Sequence, residues 1–238
     1  MAKTIAGVQP TAYRMRHAAP QGVGASPTTI GITDLMTSLA IVFILLFAAQ
    51  ITKTSSAAQS ELQDNKEDVQ TALRDHIQRL GLSLDTDPRD PLLLLIVVPE
   101  NLLTFEFGKS TLSPTAEQFL IDALPFYVRA LCGPLRDKID SLAIEGHTDD
   151  HGSDVFNLKL SQERSLAVMV KGLEVIQASE PASYHCFQEI TSAAGRGRQD
   201  LIYESTAVVD REQSRRVIFK IRLRSAEQRH RGKPASAL

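Results

Sequence analysis

The sequence lacks tryptophan, contains only two cysteines and carries a net charge of -2. A nearly neutral chain has no overall field that attracts nucleic acid, so we expect no nucleic-acid partner. The sequence also lacks the motifs of serine hydrolases, nucleotide-binding loops and zinc proteases, and neither cysteine has metal-ligand spacing. We therefore expect a protein that is not an enzyme, with no cofactor and no bound metal.

Charged side chains are also missing from particular segments near the N-terminus. The first 33 residues contain no acidic side chain, and Leu35 to Ile51 contain no charged side chain at all. At ~1.5 Å per residue, residues 31–51 would extend about 30 Å as a helix, the thickness of a bilayer core. Basic residues before this run and acidic residues after it predict a cytoplasmic N-terminus and an exported C-terminal part. A cleaved signal peptide and a buried core helix are the alternatives.

Composition and spacing divide the chain into five regions. The predicted regions are a cytoplasmic tail at 1–30, a transmembrane helix at 31–52 in contact with membrane lipid, a helical linker or plug region at 53–88, a globular domain at 89–225 and a flexible tail at 226–238.

The predicted linker helix has one narrow apolar stripe, formed by Leu62, Val69, Leu73, Ile77 and Leu80. This spacing is typical of a helix that packs on a partner helix, and the alternative is a solvated linker helix. The turn-rich stretch 85–91 predicts a break before the globular domain.

The globular domain alternates between strand and helix patterns. Ser113 and Pro114 predict a helix start. A second amphipathic helix is predicted by an apolar face formed by Leu166, Met169, Val170, Leu173 and Ile176. Together with predicted strands at 92–98, 139–145, 190–194 and 217–224, these helices predict an α/β sandwich of the order βαβαββ.

Three motifs punctuate this domain: Gly146-His-Thr-Asp149, Asn157-Leu-Lys-Leu-Ser-Gln-Glu-Arg164 and Ser214-Arg-Arg-Val217. In this order and on these elements, the segment from about 92 to 224 resembles the OmpA-like peptidoglycan-binding domain. That family carries asparagine at the position of Ser214, so the supporting contact there departs from the family pattern.

The resemblance implies a ligand and a set of binding residues. The family's ligand is the diaminopimelate side chain of the cell-wall peptide, which carries an ammonium and a carboxylate on one carbon. Asp149 would bind the ammonium and Arg164 the carboxylate, since a guanidinium matches a carboxylate with two hydrogen bonds. The implied supporting residues are Thr148, Asn157, Arg215 and Arg216. The alternatives are a purely structural Asp149–Arg164 salt bridge and a metal site between His147 and His151.

Asp34 lies at the start of the predicted span, where a carboxylate costs ~2.5–3.5 kcal/mol to insert and is by default functional. Thr37 and Ser38 follow three and four residues later, on the same helix face. We expect this polar face to contact a partner protein rather than lipid, with Asp34 as a carboxylate that can gain and lose a proton. The alternative is that Asp34 lies among the lipid headgroups and only bounds the helix.

The combination of a basic tail, Asp34-Leu-Met-Thr37 in a single span, a helical linker and an OmpA-like domain resembles the MotB family of ion-driven stator subunits. The short chain, and the absence of the flagellar signature before the span, are similar to the MotB-related ZorB subunits of Zorya anti-phage defence systems. This resemblance implies that Asp34, Thr37 and Ser38 form an ion-translocating site. It also implies a dimer in the bacterial inner membrane, inside a ring of a MotA- or ZorA-like multi-pass membrane protein. A flagellar-type stator and a passive tether between membrane and cell wall are the alternatives.

Cys132 and Cys186 both follow the predicted span. An oxidising compartment would allow them to form a disulfide, and two unrelated buried thiols are the alternative.

Overall fold

The structure, a computed structural model, describes residues 27–106, 108–205, 207–225 and 228, with side chains left out at 27–34 and 54–58. Residues 1–26 of the predicted N-terminal tail, and the predicted C-terminal tail apart from Gln228, lie outside the described residues. The chain divides into two units, Met1–Lys53 and Thr54–Leu238. Helix α1 (Pro27–Arg79) contributes residues to both.

The first unit contains the apolar stretch Leu35–Lys53, which has a mean hydropathy of 2.2 and is the one helical stretch in the described residues that could cross a membrane by length and composition. Every large apolar side chain from Leu35 to Ile51 is at least 51% exposed. The alternative of a buried core helix is therefore wrong for the described part of the chain. An apolar surface on all sides of a helix suits hydrocarbon rather than water.

The second unit is built on a five-stranded sheet in the order β1-β2-β5-β3-β4. Only β3 and β4 are parallel; the other neighbours are antiparallel. The elements after α1 are β1 (Leu84–Asp87), β2 (Asp90–Pro99), α2 (Pro114–Leu131), β3 (Ile139–His147), α3 (Asp154–Ser179), α4 (Tyr184–Ile190), β4 (Thr191–Gly197), α5 (Arg211–Ser214) and β5 (Arg216–Leu223).

The predicted α/β class is confirmed, and local sequence explains much of it. Ser113 caps α2 by accepting a hydrogen bond from the Ala116 N–H at 3.1 Å, and Pro114 is the first helical residue. In β5 the alternating residues Val217, Phe219, Ile221 and Leu223 are all buried, as their period of two predicts. They face the apolar side of α2, which closes the core over the sheet.

The predicted break at 85–91 is wrong. Leu84–Asp87 forms β1, which pairs with β2 through a tight hairpin. The aspartates that suggested a loop instead hold the turn: Asp87 Oδ1 accepts the Arg89 N–H at 2.8 Å, and Asp90 Oδ1 accepts the Leu92 N–H at 3.0 Å.

The apolar stripe of α1 packs on the sheet domain of its own chain, so it is not a solvated linker helix. Val69, Leu73 and Ile77 are at most 1% exposed and belong to the core of the sheet domain. His76 stacks on Phe126 of α2 with 4.1 Å between ring centroids, and Lys138 forms an ion pair with Asp68. Residues 62–80 are therefore part of the globular domain, which begins well before residue 89.

The inward face predicted for α3 is also partly wrong. Leu166 and Val170 are 49% and 47% exposed, whereas the small residues Ser161, Ser165 and Gly172 face inward. A Cβ on Gly146 would lie 2.4 Å from the Ser161 carbonyl oxygen, and one on Gly195 would lie 2.4 Å from the Gln162 nitrogen. Two glycines in the sheet thus let α3 approach so closely that only small side chains fit between them.

Cys132, the residue after α2, forms a disulfide with Cys186 in α4, with 5.8 Å between their Cα atoms. The pairing left open by the sequence is thus present in the structure.

Candidate functional site

A cleft of about 750 Å³ opens where β3 ends and α3 begins. The end of β2 and the start of β5 reach the same edge of the sheet, since Pro99 pairs with Arg216 and Gly146 with Val217. Four separate stretches of sequence therefore meet at one place. The lining residues are Glu100, Phe105, Gly108, Thr148, Asp149, His151, Gly152, Phe156, Asn157, Leu160, Arg164 and Arg215.

Arg164 lies in α3 and is only 7% exposed. Its Nε donates to the Lys109 carbonyl at 3.0 Å, and its guanidinium carbon lies 4.8 Å from the centre of the Phe105 ring. Neither Nη1 nor Nη2 of Arg164 has a hydrogen-bond or ion-pair partner among the described residues. Burial lowers the pKa of Arg164, and the charges of Glu100 and Asp149 oppose that shift. The fork of this guanidinium is thus held in place with two nitrogens available to a ligand.

Asp149 follows β3 and is 9% exposed. Its Oδ2 accepts from Arg215 Nη1 at 2.8 Å, and its Oδ1 accepts from the His151 N–H at 3.0 Å. Burial acts to raise the pKa of Asp149, but these two hydrogen bonds and the charge of Arg215 outweigh it and lower the pKa. Asp149 is therefore ionised at neutral pH.

Asp149 and Arg164 line the same cleft but do not pair with one another. The carboxylate's partner is Arg215, so the alternative of a structural Asp149–Arg164 salt bridge is wrong. The cleft thus contains a carboxylate and a guanidinium, Asp149 and Arg164, that do not form an ion pair with each other.

Two further predicted residues lie in the cleft. Asn157 is 2% exposed, and its Nδ2 donates to the His151 carbonyl at 2.7 Å, which fastens the loop after β3 to α3. Thr148 is 4% exposed, and its hydroxyl has no hydrogen-bond partner among the described residues.

Arg216 is not brought into the cleft. Its Nη2 donates to the Asp200 carbonyl at 2.9 Å and its Nη1 to the Ser214 carbonyl at 3.1 Å, so it fastens the loop before α5. The Ser214 hydroxyl accepts from the Ile202 N–H at 3.0 Å in the same loop. Of the two motif arginines, Arg215 lines the cleft and Arg216 lines a small neighbouring pocket with Glu100 and Arg164.

Sequence reasoning missed several lining residues, above all Glu100, which forms an ion pair with Arg215. Glu100 follows β2 and carries no motif of its own. Only the pairing of β2 with β5 places it beside Arg215, and that register cannot be read from either strand alone.

Within the described part of the chain, one group of side chains has the geometry of a metal site. Ligand atoms of Asp149, Asp150 and His151 lie within 4.8 Å of one another. Both carboxylates are already paired with cations, however: Asp149 with Arg215, and Asp150 with Arg211 Nε at 2.7 Å. Two guanidinium groups beside the carboxylates disfavour a metal ion there, so these residues do not fit one.

The side chain of Asp34 lies outside the described residues. Ser38 is described and exposed, and its hydroxyl donates to the Leu35 carbonyl at 3.0 Å. Thr37 is exposed in the same stretch of α1. The structure therefore leaves the predicted ion-translocating site as a prediction.

Comparisons with known proteins agree with this fold. No protein-family model matches the chain. The chain is 29% identical over 117 residues to outer membrane protein A of Bordetella avium, an alignment covering 49% of this chain and 52% of that protein. It is 40% identical over 67 residues to outer membrane protein P5 of Haemophilus influenzae, covering 28% of this chain and 17% of P5. The chain thus spans about half or less of the length of these relatives.

Among solved structures, a putative MotB-like protein from Desulfovibrio vulgaris superposes with a TM-score of 0.50 and 23% identity, covering 70% of this chain and 96% of that one. The C-terminal unit has the fold of a MotB-like protein. At this identity the likeness concerns the fold alone, and the role of the cleft rests on its own side chains.

Proposed function

We propose that this chain is a single-pass protein of the bacterial inner membrane whose sheet domain binds peptidoglycan. The observation that carries the proposal is the cleft itself, where the Asp149 carboxylate is ionised and Nη1 and Nη2 of Arg164 have no partner among the described residues. Such a cleft matches a ligand that carries one charge of each sign a short distance apart.

The proposed ligand is the free amino acid end of diaminopimelate in the cell-wall peptide. Its carboxylate binds Nη1 and Nη2 of Arg164 with two parallel hydrogen bonds, the geometry that arginine favours. Its ammonium binds Asp149, and Thr148, which lines the cleft beside Asp149, is the proposed supporting residue. Asn157 keeps the loop and helix that carry these groups at a fixed separation.

A pull-down of the full chain in detergent by purified peptidoglycan sacculi tests this site. Arg164→Ala and Asp149→Asn are each expected to lower the bound fraction at least tenfold, because each removes one of the two charges that the ligand pairs with. The matched control is Arg129→Ala, which removes an exposed arginine that pairs with Glu180 and does not line the cleft. Undiminished binding by both folded cleft variants would place the binding site elsewhere.

We further propose that residues 31–52 cross the membrane with the N-terminus in the cytoplasm. The exposed apolar surface of Leu35–Lys53 and the basic residues before it support this orientation. The disulfide supports the same orientation, because disulfides persist in the periplasm and are reduced in the cytosol. Residues 53–61 then connect the span to the domain, into which residues 62–88 are built.

The finer proposal is a proton-driven motor. Asp34, with Thr37 and Ser38, carries ions across the membrane in a dimer enclosed by a ring of a ZorA-type multi-pass protein, and the assembly acts in anti-phage defence. Peptidoglycan binding holds the dimer still while the ring turns. The other candidates are a flagellar-type or other MotB-like stator and a passive tether. A motor needs the carboxylate of Asp34 and a passive tether does not, so this residue distinguishes them.

The test is Asp34→Asn in cells that also express the neighbouring genes, scored by phage plating with the membrane level of the variant checked in parallel. Asparagine keeps the shape and removes the titratable proton, so protection should be lost. Asp64→Asn, at an exposed aspartate of the same helix, is the matched control and should protect normally. Full protection by Asp34→Asn would exclude the motor and favour the passive tether. If the wild type gave no protection, the defence role would be excluded and swimming motility would be measured next.

A further inference from the structure

We propose that Glu100 is a positioning residue of the cleft, which shares the guanidinium of Arg215 with Asp149 and so preserves the negative charge that Asp149 offers to a ligand's ammonium group. The proposal rests on the proposed function, because it concerns how the same cleft binds an ammonium. Glu100 lies outside all three sequence motifs.

The sheet fixes where Glu100 lies. Pro99 of β2 pairs with Arg216 of β5, so the next residues along these antiparallel strands, Glu100 and Arg215, face one another at the sheet edge. The Thr104 hydroxyl donates to the Glu100 carbonyl at 2.9 Å and holds the chain where it leaves β2. The ion pair of Glu100 with Arg215 is thus set by strand register rather than by a mobile loop.

Arg215 is divided between two carboxylates. Its Nε donates to Glu100 Oε2, and its Nη1 donates to Asp149 Oδ2 at 2.8 Å. The Arg215 side chain is 32% exposed, against 25% for Glu100 and 12% for Asp149, so the three charges act in a partly desolvated setting. One guanidinium cannot neutralise two carboxylates, and the trio keeps one net negative charge.

Glu100 also acts on the other half of the cleft. Its charge, together with that of Asp149, opposes the lowering of the Arg164 pKa by burial. Asp149 and Glu100 carry two negative charges, and Arg164 and Arg215 carry two positive ones, so the four groups sum to zero. This balance suits a zwitterion, which also has no net charge. Without Glu100 the cleft would carry one net positive charge and would repel an ammonium.

The experiment compares two probes on the full chain in detergent by isothermal titration calorimetry: free meso-diaminopimelate, and the same compound with both amino groups acetylated. Glu100→Gln keeps the size and a hydrogen-bond acceptor but removes the charge. We expect it to weaken diaminopimelate binding about fivefold, the size typical of one partly exposed charge. Binding of the acetylated probe, which lacks the ammonium, should not fall. Glu100→Asp should restore most of the preference, because it restores the charge.

The matched control is Glu180→Gln, which removes a glutamate that pairs with Arg129 outside the cleft, and it should bind both probes as the wild type does. An equal loss for both probes in Glu100→Gln, or no loss for either, would overturn the positioning role while leaving the proposed function standing. If the wild type bound neither diaminopimelate nor sacculi, the proposed function would fail and this inference with it.

Discussion

Residues 35–53 and 62–80 both belong to α1, yet they carry their apolar side chains differently. The first stretch is mainly apolar, and each of its large apolar side chains is at least 51% exposed. The second is mainly polar and has a single stripe, whose central residues Val69, Leu73 and Ile77 are at most 1% exposed. The difference teaches that the distribution of apolar residues around a helix indicates its surroundings better than their number does. A complete apolar surface suits lipid, and a narrow stripe suits one packed face.

The largest expected difference between the two stretches is in the effect of a leucine-to-alanine exchange on the stability of the domain. Leu73→Ala leaves a cavity in the core of the domain and should lower its free energy of unfolding by about 4 kcal/mol. Leu45→Ala, in the exposed apolar stretch, should leave the unfolding of the domain unchanged. Chemical denaturation of the full chain in detergent, followed by near-ultraviolet circular dichroism, measures both. Equal effects of the two variants would show that the stripe is not part of the domain core.

Removal of the disulfide should affect only the second unit. Cys132 and Cys186 are 54 residues apart, and opening a loop of this size costs about 3–4 kcal/mol in the unfolding free energy of the domain. The double variant Cys132→Ala/Cys186→Ala should therefore unfold at lower denaturant concentration than the wild type, while membrane association is retained. A wild type whose denaturation midpoint did not change on reduction would contradict this prediction.

An added carboxylate should impair the first stretch and be tolerated by the second. Leu45→Asp places a carboxylate within the apolar stretch and should cost about 3 kcal/mol on membrane insertion. Ala72→Asp adds the same charge to an exposed position of the second stretch and should be tolerated. Carbonate extraction of membranes, followed by immunoblotting, gives the inserted fraction of each variant. Normal insertion of Leu45→Asp would argue against a membrane span.

The smallest expected effect is an acid-induced loss of stability of the sheet domain, caused by protonation of Glu145. Burial of Glu145 opposes its ionisation, but His147 and Lys220 lower its pKa to about 2 from an ordinary 4.5. Because the pKa is lower in the folded state, the stabilisation is complete above pH 4.5 and is lost as the pH falls toward 2. We expect about 2 kcal/mol, allowing for partial solvent screening.

Glu145→Gln is the variant that tests this origin. Its free energy of unfolding, measured across the same pH interval, should show a weaker dependence on pH than that of the wild type. Identical pH dependence in the two proteins would assign the acid sensitivity to other carboxylates.

Strong local signals made parts of the fold predictable. Ser113 and Pro114 marked the start of α2, and the alternation in β5 marked its buried face, since both depend on residues close in sequence. β1 was missed because aspartates and a proline resemble a loop when the pairing strand is unknown. The inward face of α3 was misassigned because its packing depends on Gly146 and Gly195, two residues in other elements that remove the space for large side chains.

The candidate site also has a part that the sequence predicted and a part that it did not. Asp149, Asn157 and Arg164 stand in motifs, and the structure brings them to one cleft. The pairing of Asp149 with Arg215 rather than Arg164, and the participation of Glu100, follow from strand register across the sheet. Residue types were therefore readable from the sequence, and their pairing was not.

The disulfide also has a mechanical consequence. Cys132 and Cys186 close a covalent loop that contains the loop residue Asp149 and the helix residue Arg164. A pulling force applied between the two ends of the chain passes through the sulfur–sulfur bond and bypasses residues 133–185. Asp149 and Arg164 are thus shielded from tension along the backbone, whereas Glu100 and Arg215 lie outside the covalent loop and carry it.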